Sequence, residues 1–180
     1  PSLLFFQDPE FRGAACKVFV GHEAIDKYVL HRAKGRFMKS VKKILPNKNF
    51  IDTRIGTKFY KAEDLVSAII IYLKGLADKY LDQVITTAVV GRPVVFDENP
   101  ENDALAQARL AKAAHLSGFT DISFQLEPIG AAYTYKRQIT KSETLLVADF
   151  GGGTSDFSIL KIQGNHADNN RSEVLGQGGI

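Results

Sequence analysis

Sulfur and tryptophan are scarce in this sequence. Its 180 residues include one cysteine, Cys16, one methionine and no tryptophan. A single thiol cannot form a disulfide within the chain, and so low a cysteine content is typical of proteins from a reducing compartment. Hydrophobic residues make up 44% of the chain and include 12 Phe and 6 Tyr, which are enough for a core without disulfides. We therefore expect a globular protein of the cytoplasm.

Long apolar runs and a strong net charge are also absent. No apolar run approaches the ~20 residues that a membrane-spanning helix needs, and the opening PSLLFFQDPE has neither the basic start nor the cleavage site of a signal peptide. The net charge of +3 is too small to indicate a nucleic-acid partner. Basic residues do cluster at 31–43, where a solvated helix face and a phosphate-facing segment both fit better than a nucleic-acid surface. We expect neither a membrane nor a nucleic acid as partner.

Common catalytic and ligand-binding motifs are missing as well. The sequence contains no G-x-x-x-x-G-K-[ST] loop, no G-x-G-x-x-G that opens a helix and no G-x-S-x-G elbow. Its four histidines, at positions 22, 31, 115 and 166, are scattered without metal-ligand spacing. These absences argue against the P-loop, dinucleotide-binding and serine-hydrolase classes, and against a metal bound by histidines.

Hydrophobic periodicity predicts an α/β protein. Apolar residues recur at helical spacing over 62–80, with a wide face that we expect to be buried. Asn99 before Pro100 is typical of a helix start and Gly118 of a helix end, whereas Glu127 precedes a proline and is predicted to be extended. Helices and strands alternate, which indicates sheets with flanking helices. The predicted strands are 3–6, 17–20, 84–90, 122–126, 145–150 and 157–162, with a strand-and-turn region at 50–60, and the predicted helices are 62–80, 100–116 and 129–137, with a partly helical stretch up to residue 43.

The segment DFGGGTSD, residues 149–156, places three glycines between two aspartates. Gly151, Gly152 and Gly153 lack a Cβ, so their backbone can adopt positive φ and another group can approach it closely. Consecutive N–H groups in such a segment can form a concave anion site. A plain hairpin turn needs only two suitable residues, so three glycines lose conformational entropy that a structural turn would not require. The segment favours a phosphate-binding loop, with a structural glycine-rich turn as the alternative.

The aspartates that flank the glycines indicate a cation. A carboxylate beside a phosphate repels it unless a positive charge lies between them. Asp149 and Asp156 therefore predict Mg²⁺, a hard ion that keeps several waters and needs only one or two protein carboxylates. Thr154 offers a hydroxyl group to a phosphate oxygen or to a water molecule.

Several segments of the chain occur in a familiar order. DFGGGTSDFSIL resembles the second phosphate motif of the actin-like ATPases. Upstream, FYKAEDLVSAIIIYLKGLADKYLDQVITTAVVGRPVVF and then LEPIGAAYTY are similar to the heat shock protein 70 family in order and spacing, most closely to a divergent bacterial YegD-like branch. The resemblance covers nearly the whole chain and is most specific from about residue 59 onward. It implies part of the actin-like ATPase fold, which is ribonuclease H-like and has a mixed sheet with flanking helices.

The resemblance also implies a phosphate and metal site. By this resemblance, Asp149 organises the water shell of Mg²⁺ and Asp156 is a second acidic residue near the cation. The glycines at 151–153 would cradle the β- and γ-phosphates of ATP or ADP, and Thr154 would lie near the γ-phosphate. The implied cofactors are therefore ATP or ADP and Mg²⁺.

Three further residues receive roles from the resemblance alone. Lys39 is similar to the catalytic lysine that contacts the γ-phosphate, although Lys42 and Lys43 lie close by in the sequence. Glu127 is similar to the glutamate that helps to place the metal-bound or attacking water. Pro93 resembles a proline that couples the domains, but Val95 stands where the family has a tyrosine, which questions the usual signalling between domains.

The chain resembles a middle fragment of a nucleotide-binding domain. The resemblance assigns residues 1–61 to a peripheral subdomain of the first lobe, 62–141 to part of its core subdomain, and 142–180 to the start of the second-lobe core. We expect the first phosphate hairpin before residue 1 and the adenosine-binding part after residue 180. Since half of the phosphate clamp would then be missing, we expect this chain alone to hydrolyse little or no ATP.

The function that the resemblance implies is ATP binding by a fragment of a heat shock protein 70-type chaperone ATPase. The parent protein would be a hydrolase of the stress response, with nucleotide, client polypeptides and co-chaperones as its partners. Two alternatives share similar loops. One is an actin-like bacterial filament or scaffold protein, and the other is a sugar or acetate kinase of the same superfold.

Overall fold

The computed structural model describes residues 2–9, 11, 15–136, 138–150, 155–163 and 172–179. Helices and strands alternate within this part of the chain, as the sequence predicts for an α/β protein. In chain order the elements are β1 (Leu3–Gln7), β2 (Lys17–Val20), α1 (His22–Leu30), β3 (Gly35–Lys39), a 3-10 turn (Val41–Ile44), β4 (Thr53–Ile55), β5 (Lys58–Tyr60), α2 (Ala62–Leu81), β6 (Thr87–Arg92), α3 (Pro100–Leu116), β7 (Asp121–Leu126), α4 (Glu127–Lys136), β8 (Glu143–Phe150), β9 (Ser155–Ile162) and β10 (Ser172–Gly179).

The chain divides into two compact units. The first comprises Pro1–Ala88 and Phe96–Ile122, and the second comprises Val89–Val95 and Ser123–Ile180. Strands β6 and β7 pair with each other. The boundaries between the units fall within β6, between Val95 and Phe96, and within β7. The predicted division into three subdomains, at residues 61 and 141, stays a prediction.

An antiparallel sheet with strand order β2-β1-β3 forms the start of the first unit. The central strand β1 is almost wholly apolar, and Leu4, Phe5 and Phe6 are fully buried. On one face, the Tyr28 ring of α1 packs edge-on against Phe5 at 5.5 Å and lies 4.9 Å from the Phe37 ring. Aromatic pairs of this kind stabilise a protein by about 0.5–1.5 kcal/mol beyond the contribution of the apolar area that they bury. Contacts between aromatic rings therefore help to hold this sheet and α1 together without a disulfide, as the composition predicts.

Helix α2 and helix α3 pack together through their small and aliphatic side chains. Leu65 on α2 and Ala113 on α3 are fully buried. The Ser117 hydroxyl, at the end of α3, donates to the Ala113 carbonyl at 2.7 Å and contacts the Ser67 carbonyl of α2 at 3.3 Å. The predicted start of α3 is confirmed, because the Asn99 side chain accepts the Glu101 N–H at 2.9 Å and Pro100 is the first helical residue.

Arg109 joins α3 to the segment that follows the 3-10 turn. Its Nη1 donates to the carbonyls of Leu45 and Asn47, each at 2.9 Å, and its Nη2 donates to the Phe50 carbonyl at 2.9 Å. A guanidinium suits this task because its donors are fixed in a planar fork. One side chain thus satisfies the carbonyls of an irregular segment that has no ladder of its own.

An ion pair between Glu63 of α2 and Lys112 of α3 also connects these two helices. Lys112 Nζ lies 2.7 Å from Glu63 Oε1, and the Glu63 side chain is buried, whereas Lys112 is half exposed. Burial by itself raises the pKa of Glu63, but the hydrogen bond and the charge of Lys112 outweigh it and hold the pKa below its usual value. The same contact raises the pKa of Lys112.

In the second unit, β8, β9 and β10 form an antiparallel sheet with strand order β10-β9-β8. Helix α4 covers one face, where Ala132 packs with the buried Leu160 and Ile162. On the other face, Leu146 is 67% exposed and Phe150 is 74% exposed. Burial therefore alternates along β8, with one face in the core and the other exposed to solvent.

Two further sequence predictions are wrong. The face of α2 is buried only over its first turns, because α3 packs there, and Leu73 and Leu76 are about half exposed. The backbone is not extended at Glu127, since α4 begins at that residue and Pro128 occupies an early helical position that needs no N–H partner. The prediction of a partly helical stretch up to residue 43 is confirmed, because α1 covers His22–Leu30 and β3 follows it beside β1.

The pKa of Glu63 makes a testable statement about stability. A carboxyl whose pKa is lowered on folding stabilises the protein above its unfolded value, 4.5, and this stabilisation is lost as the pH falls through the folded pKa. We expect Glu63→Gln to make urea stability fall less steeply between pH about 5 and about 3 than in the unmodified chain. Glu98→Gln, at an exposed position, is the control. Equal acid slopes for the two variants would contradict the role of the ion pair.

Candidate phosphate and metal site

The candidate site lies at one end of the hairpin formed by β8 and β9. The register pairs Val147 with Ser158, Asp149 with Asp156 and Phe150 with Ser155. The predicted phosphate-binding residues Gly151, Gly152, Gly153 and Thr154 connect these strands and lie outside the described residues. The two aspartates that flank them in sequence are therefore cross-strand partners.

Cross-strand partners lie close to each other. Residues directly opposite in an antiparallel pair have Cβ atoms about 4.5–5.5 Å apart, and like charges in that arrangement destabilise the sheet. Asp149 is exposed and belongs to the same strand as the half-buried Leu145 and Val147 that pack against the core of this unit. The register thus places two acidic residues opposite each other at the end of a well-anchored hairpin.

Aromatic side chains support this end of the hairpin. The rings of Phe150 and Phe157 meet edge to face, with their centroids 5.8 Å apart. Phe150 directly follows Asp149, and Phe157 directly follows Asp156, so the ring pair holds the two strands together beside both acidic positions. The sequence analysis missed this pair, although a phenylalanine after each aspartate was visible in DFGGGTSDF.

Glu127 is placed by the start of α4 and by a glycine in β6. A Cβ atom at Gly91 would lie 3.3 Å from Glu127 Cγ and 3.9 Å from its Oε1, so the missing side chain makes room for the glutamate. The sequence predicts a strand that ends at residue 90, before Gly91, whereas β6 continues to Arg92. The signal for this role would have been a glycine inside a β-branched run, which marks close approach by another group.

Arg92 fixes the backbone around Pro93. Its Nε donates to the Pro93 carbonyl at 3.0 Å, and its Nη2 donates to the Val94 carbonyl at 3.3 Å. The arginine therefore wraps around the segment that leaves β6. Sequence reasoning singled out Pro93 for domain coupling but did not single out Arg92.

Lys39 is the last residue of β3 and belongs to the first unit, where it is exposed and pairs with Leu3 of β1. Lys42, its neighbour in sequence, lies 6.0 Å from the centre of the Phe96 ring in the same unit. The contribution of Lys39 to a phosphate site stays a prediction, and so does the choice between it and the lysines that follow.

Metal ligands are sparse in the part of the chain that the structure describes. No group of three or more His, Cys, Asp and Glu side chains is placed there to hold a metal ion. Asp149 and Asp156, which the register pairs, are the candidate ligands for the predicted Mg²⁺, an ion that keeps several waters and uses one or two protein carboxylates. Among the same described residues, no helix is both long enough and apolar enough to cross a membrane.

A family comparison decides what kind of protein carries this hairpin. The family model described as Hsp70 protein matches residues 7–168. The chain belongs to the Hsp70 family. This membership confirms the predicted resemblance to the heat shock protein 70 family, and it implies the actin-like ATPase fold. Neither the filament nor the kinase alternative is favoured.

Curated relatives agree with the family assignment. The chain is 34% identical over 148 residues to a protein named chaperone protein HscA homolog from Rickettsia prowazekii (strain Madrid E), covering 74% of this chain and 24% of that protein. A relative of the same name from Rickettsia felis is 35% identical over 117 residues, which are 65% of this chain and 17% of that protein. The chain thus spans a quarter or less of the length of these relatives. The finer assignment to a YegD-like branch stays a prediction.

The approach of Glu127 to Gly91 can be tested by a pair of glycine variants. Gly130 lies in α4 with open space around its Cα, so Gly130→Ala should stabilise the chain by about 0.5–1 kcal/mol. Gly91→Ala should give no such gain, because its new Cβ would press on Glu127. In a Glu127→Ala background, Gly91→Ala should no longer be penalised. The effects of the two substitutions on the free energy of urea unfolding should then differ from additivity by at least about 0.5 kcal/mol. An additive double mutant would show that the two residues do not compete for space.

Proposed function

We propose that this chain supplies part of the phosphate- and Mg²⁺-binding machinery of an Hsp70-type chaperone ATPase. The observation that carries the proposal is the pairing of Asp149 with Asp156 across β8 and β9, on either side of three glycines. Two like charges at directly opposite positions destabilise a sheet unless something offsets their repulsion. A bound cation turns the same arrangement into a favourable one.

The residues between the aspartates complete the proposed site. The backbone N–H groups of Gly151, Gly152 and Gly153 would hold the β- and γ-phosphates of ATP, and the Thr154 hydroxyl would donate to the γ-phosphate or orient a water. Mg²⁺, when bound, offsets the negative charge of the phosphates. Asp149 and Asp156 would orient the waters of that ion rather than contact the phosphates themselves.

Hydrolysis in the whole protein would proceed by in-line attack of water on the γ-phosphate. Lys39 would place a compact positive charge near the transferring phosphoryl group. Glu127, at the start of α4, would help to orient the attacking water or a water of the metal. Pro93, held by Arg92, would transmit the state of the site, with Val95 in the position of the family tyrosine.

The activity of the parent protein belongs to the same proposal. Phosphoryl transfer depends on positioning by several segments, and the chain covers a quarter or less of its relatives, so we expect little turnover from this chain alone. In the parent protein, residues 1–61, 62–141 and 142–180 would be a peripheral subdomain, part of the first-lobe core and the start of the second-lobe core. Its proposed partners are nucleotide, client polypeptides and co-chaperones, and its proposed place is the cytoplasm, in the stress response.

A calorimetric titration with ATP tests the role of the aspartates. It should use this chain and a version lengthened to the extent of its relatives, with Mg²⁺ and with EDTA. We expect tight binding by the lengthened protein with Mg²⁺ and at least about tenfold weaker binding in Asp149→Asn, which corresponds to about 1.4 kcal/mol. The difference should vanish in EDTA, because the carboxylate acts through the cation.

A matched variant makes the titration decisive. Asp121→Asn removes one exposed carboxylate at the start of β7 and should leave ATP affinity unchanged. If Asp149→Asn behaves like Asp121→Asn in the lengthened protein, the proposed metal site is wrong. Tight, Mg²⁺-dependent binding by the short chain alone would instead show that the hairpin is sufficient without other segments.

A further inference from the structure

Positive charge is concentrated in one segment of the first unit. Residues 31–61 contain ten of the 23 lysines and arginines of the chain and only one of its 20 acidic residues, Asp52. The remainder therefore has 13 basic and 19 acidic side chains and is net negative. All ten basic side chains of the segment are exposed. A segregation of this size creates a local positive field that the net charge of +3 conceals.

The hairpin of β4 and β5 carries the part of this charge that the structure fixes best. Arg54 Nε donates to the Gly56 carbonyl at 3.1 Å, so the guanidinium is held against its own hairpin. Arg36 Nη1 reaches the Arg54 carbonyl at 3.4 Å and ties β3 to β4. Both arginines bond to neutral carbonyls in these contacts and keep their charge available to a partner.

Large apolar side chains are exposed among these charges. Phe59 is 65% exposed and Ile51 is 75% exposed. Phe59 pairs with Arg54 across the hairpin, and directly opposite residues lie on the same face. The opposite face is turned inward, since Ile55 is buried and the Tyr60 ring packs against Phe6 at 5.2 Å. The outer face therefore combines an aromatic ring and a guanidinium, two groups that are enriched in protein interfaces.

We propose that this outer face docks an acidic polypeptide segment that carries an apolar side chain. We call Arg36, Arg54 and Phe59 the basic hairpin surface. Carboxylates of the partner would pair with the two arginines, and its apolar side chain would cover Phe59. The proposal concerns a protein partner and does not require nucleotide.

A bare polyanion fits this surface less well than an acidic polypeptide does. A nucleic-acid strand could stack a base on Phe59, but single-strand platforms stack successive bases, and Phe59 is the only exposed aromatic side chain of residues 31–61, all of which the structure describes. A polymer of phosphates alone would leave the Phe59 ring in water. Electrostatic complementarity sets the approach and the salt dependence of binding, whereas the buried apolar contact determines which acidic partner is retained.

The proposal can be tested by fluorescence anisotropy with synthetic peptides. The probe is a short labelled peptide with glutamates on both sides of a central Phe-Leu pair, and its controls replace the glutamates by glutamine or the Phe-Leu pair by serines. We expect the probe to bind this chain, and both control peptides to bind at least about tenfold more weakly. Raising the salt from about 50 mM to about 300 mM should weaken the binding.

Variants of the protein localise the binding. Phe59→Ser should weaken binding of the probe about tenfold or more, and Arg54→Gln should weaken it about threefold or more. Tyr80→Ser and Lys79→Gln are the matched controls, because both residues are exposed on α2 outside the basic hairpin surface. They should leave the affinity unchanged, and circular dichroism confirms that each variant is folded.

Four outcomes would overturn the proposal. The first is that the probe does not bind, and the second is that the serine peptide binds as well as the probe. The third is that Tyr80→Ser weakens binding as much as Phe59→Ser does. The fourth is that a single-stranded DNA oligonucleotide binds at least as tightly as the probe and ignores Phe59→Ser, which would identify a general polyanion surface.

Discussion

The pairing of β8 with β9 places Asp149 directly opposite Asp156, and the proposed chemistry depends on that register. A shift by one residue would move every side chain of a strand to the other face of the sheet. It would separate the two acidic positions and expose Leu160, which now lies in the core under α4. Hydrophobic packing thus fixes the register, and the register brings two like charges together. Repulsion between these charges destabilises the hairpin, and a bound cation would offset that repulsion.

The two units use different means to hold functional segments in place. In the first unit, irregular backbone is tied to α3 by the fork of Arg109, and α2 is tied to α3 by the buried Glu63 with its partner Lys112. In the second unit, two neighbouring residues of β6 have this role. Arg92 wraps around its own strand end, and the missing side chain of Gly91 leaves space for the start of α4. Glycine and arginine at neighbouring positions therefore act in opposite ways, one by leaving space and one by filling it.

Much of the fold follows from local signals in the sequence. The start of α3 at Asn99 and its end near Gly118 were predicted correctly because capping and positive φ depend on a few adjacent residues. Burial was predicted less well, since periodicity shows which face of α2 is apolar and does not show how far its neighbours extend. Likewise, the acidic and glycine residues of the site were visible in the sequence. The close approach of Glu127 to Gly91 was not, because it joins segments that are distant along the chain.

The central claim is that the opposed aspartates hold a cation beside the nucleotide. The most direct measurement replaces Mg²⁺ by paramagnetic Mn²⁺ in the lengthened protein with ATP and records the broadening of backbone amide signals. The account predicts that broadening is centred on Asp149 and Asp156, spares Asp121 and is strongly reduced by Asp149→Asn. Broadening centred elsewhere, or unchanged in Asp149→Asn, would contradict the account.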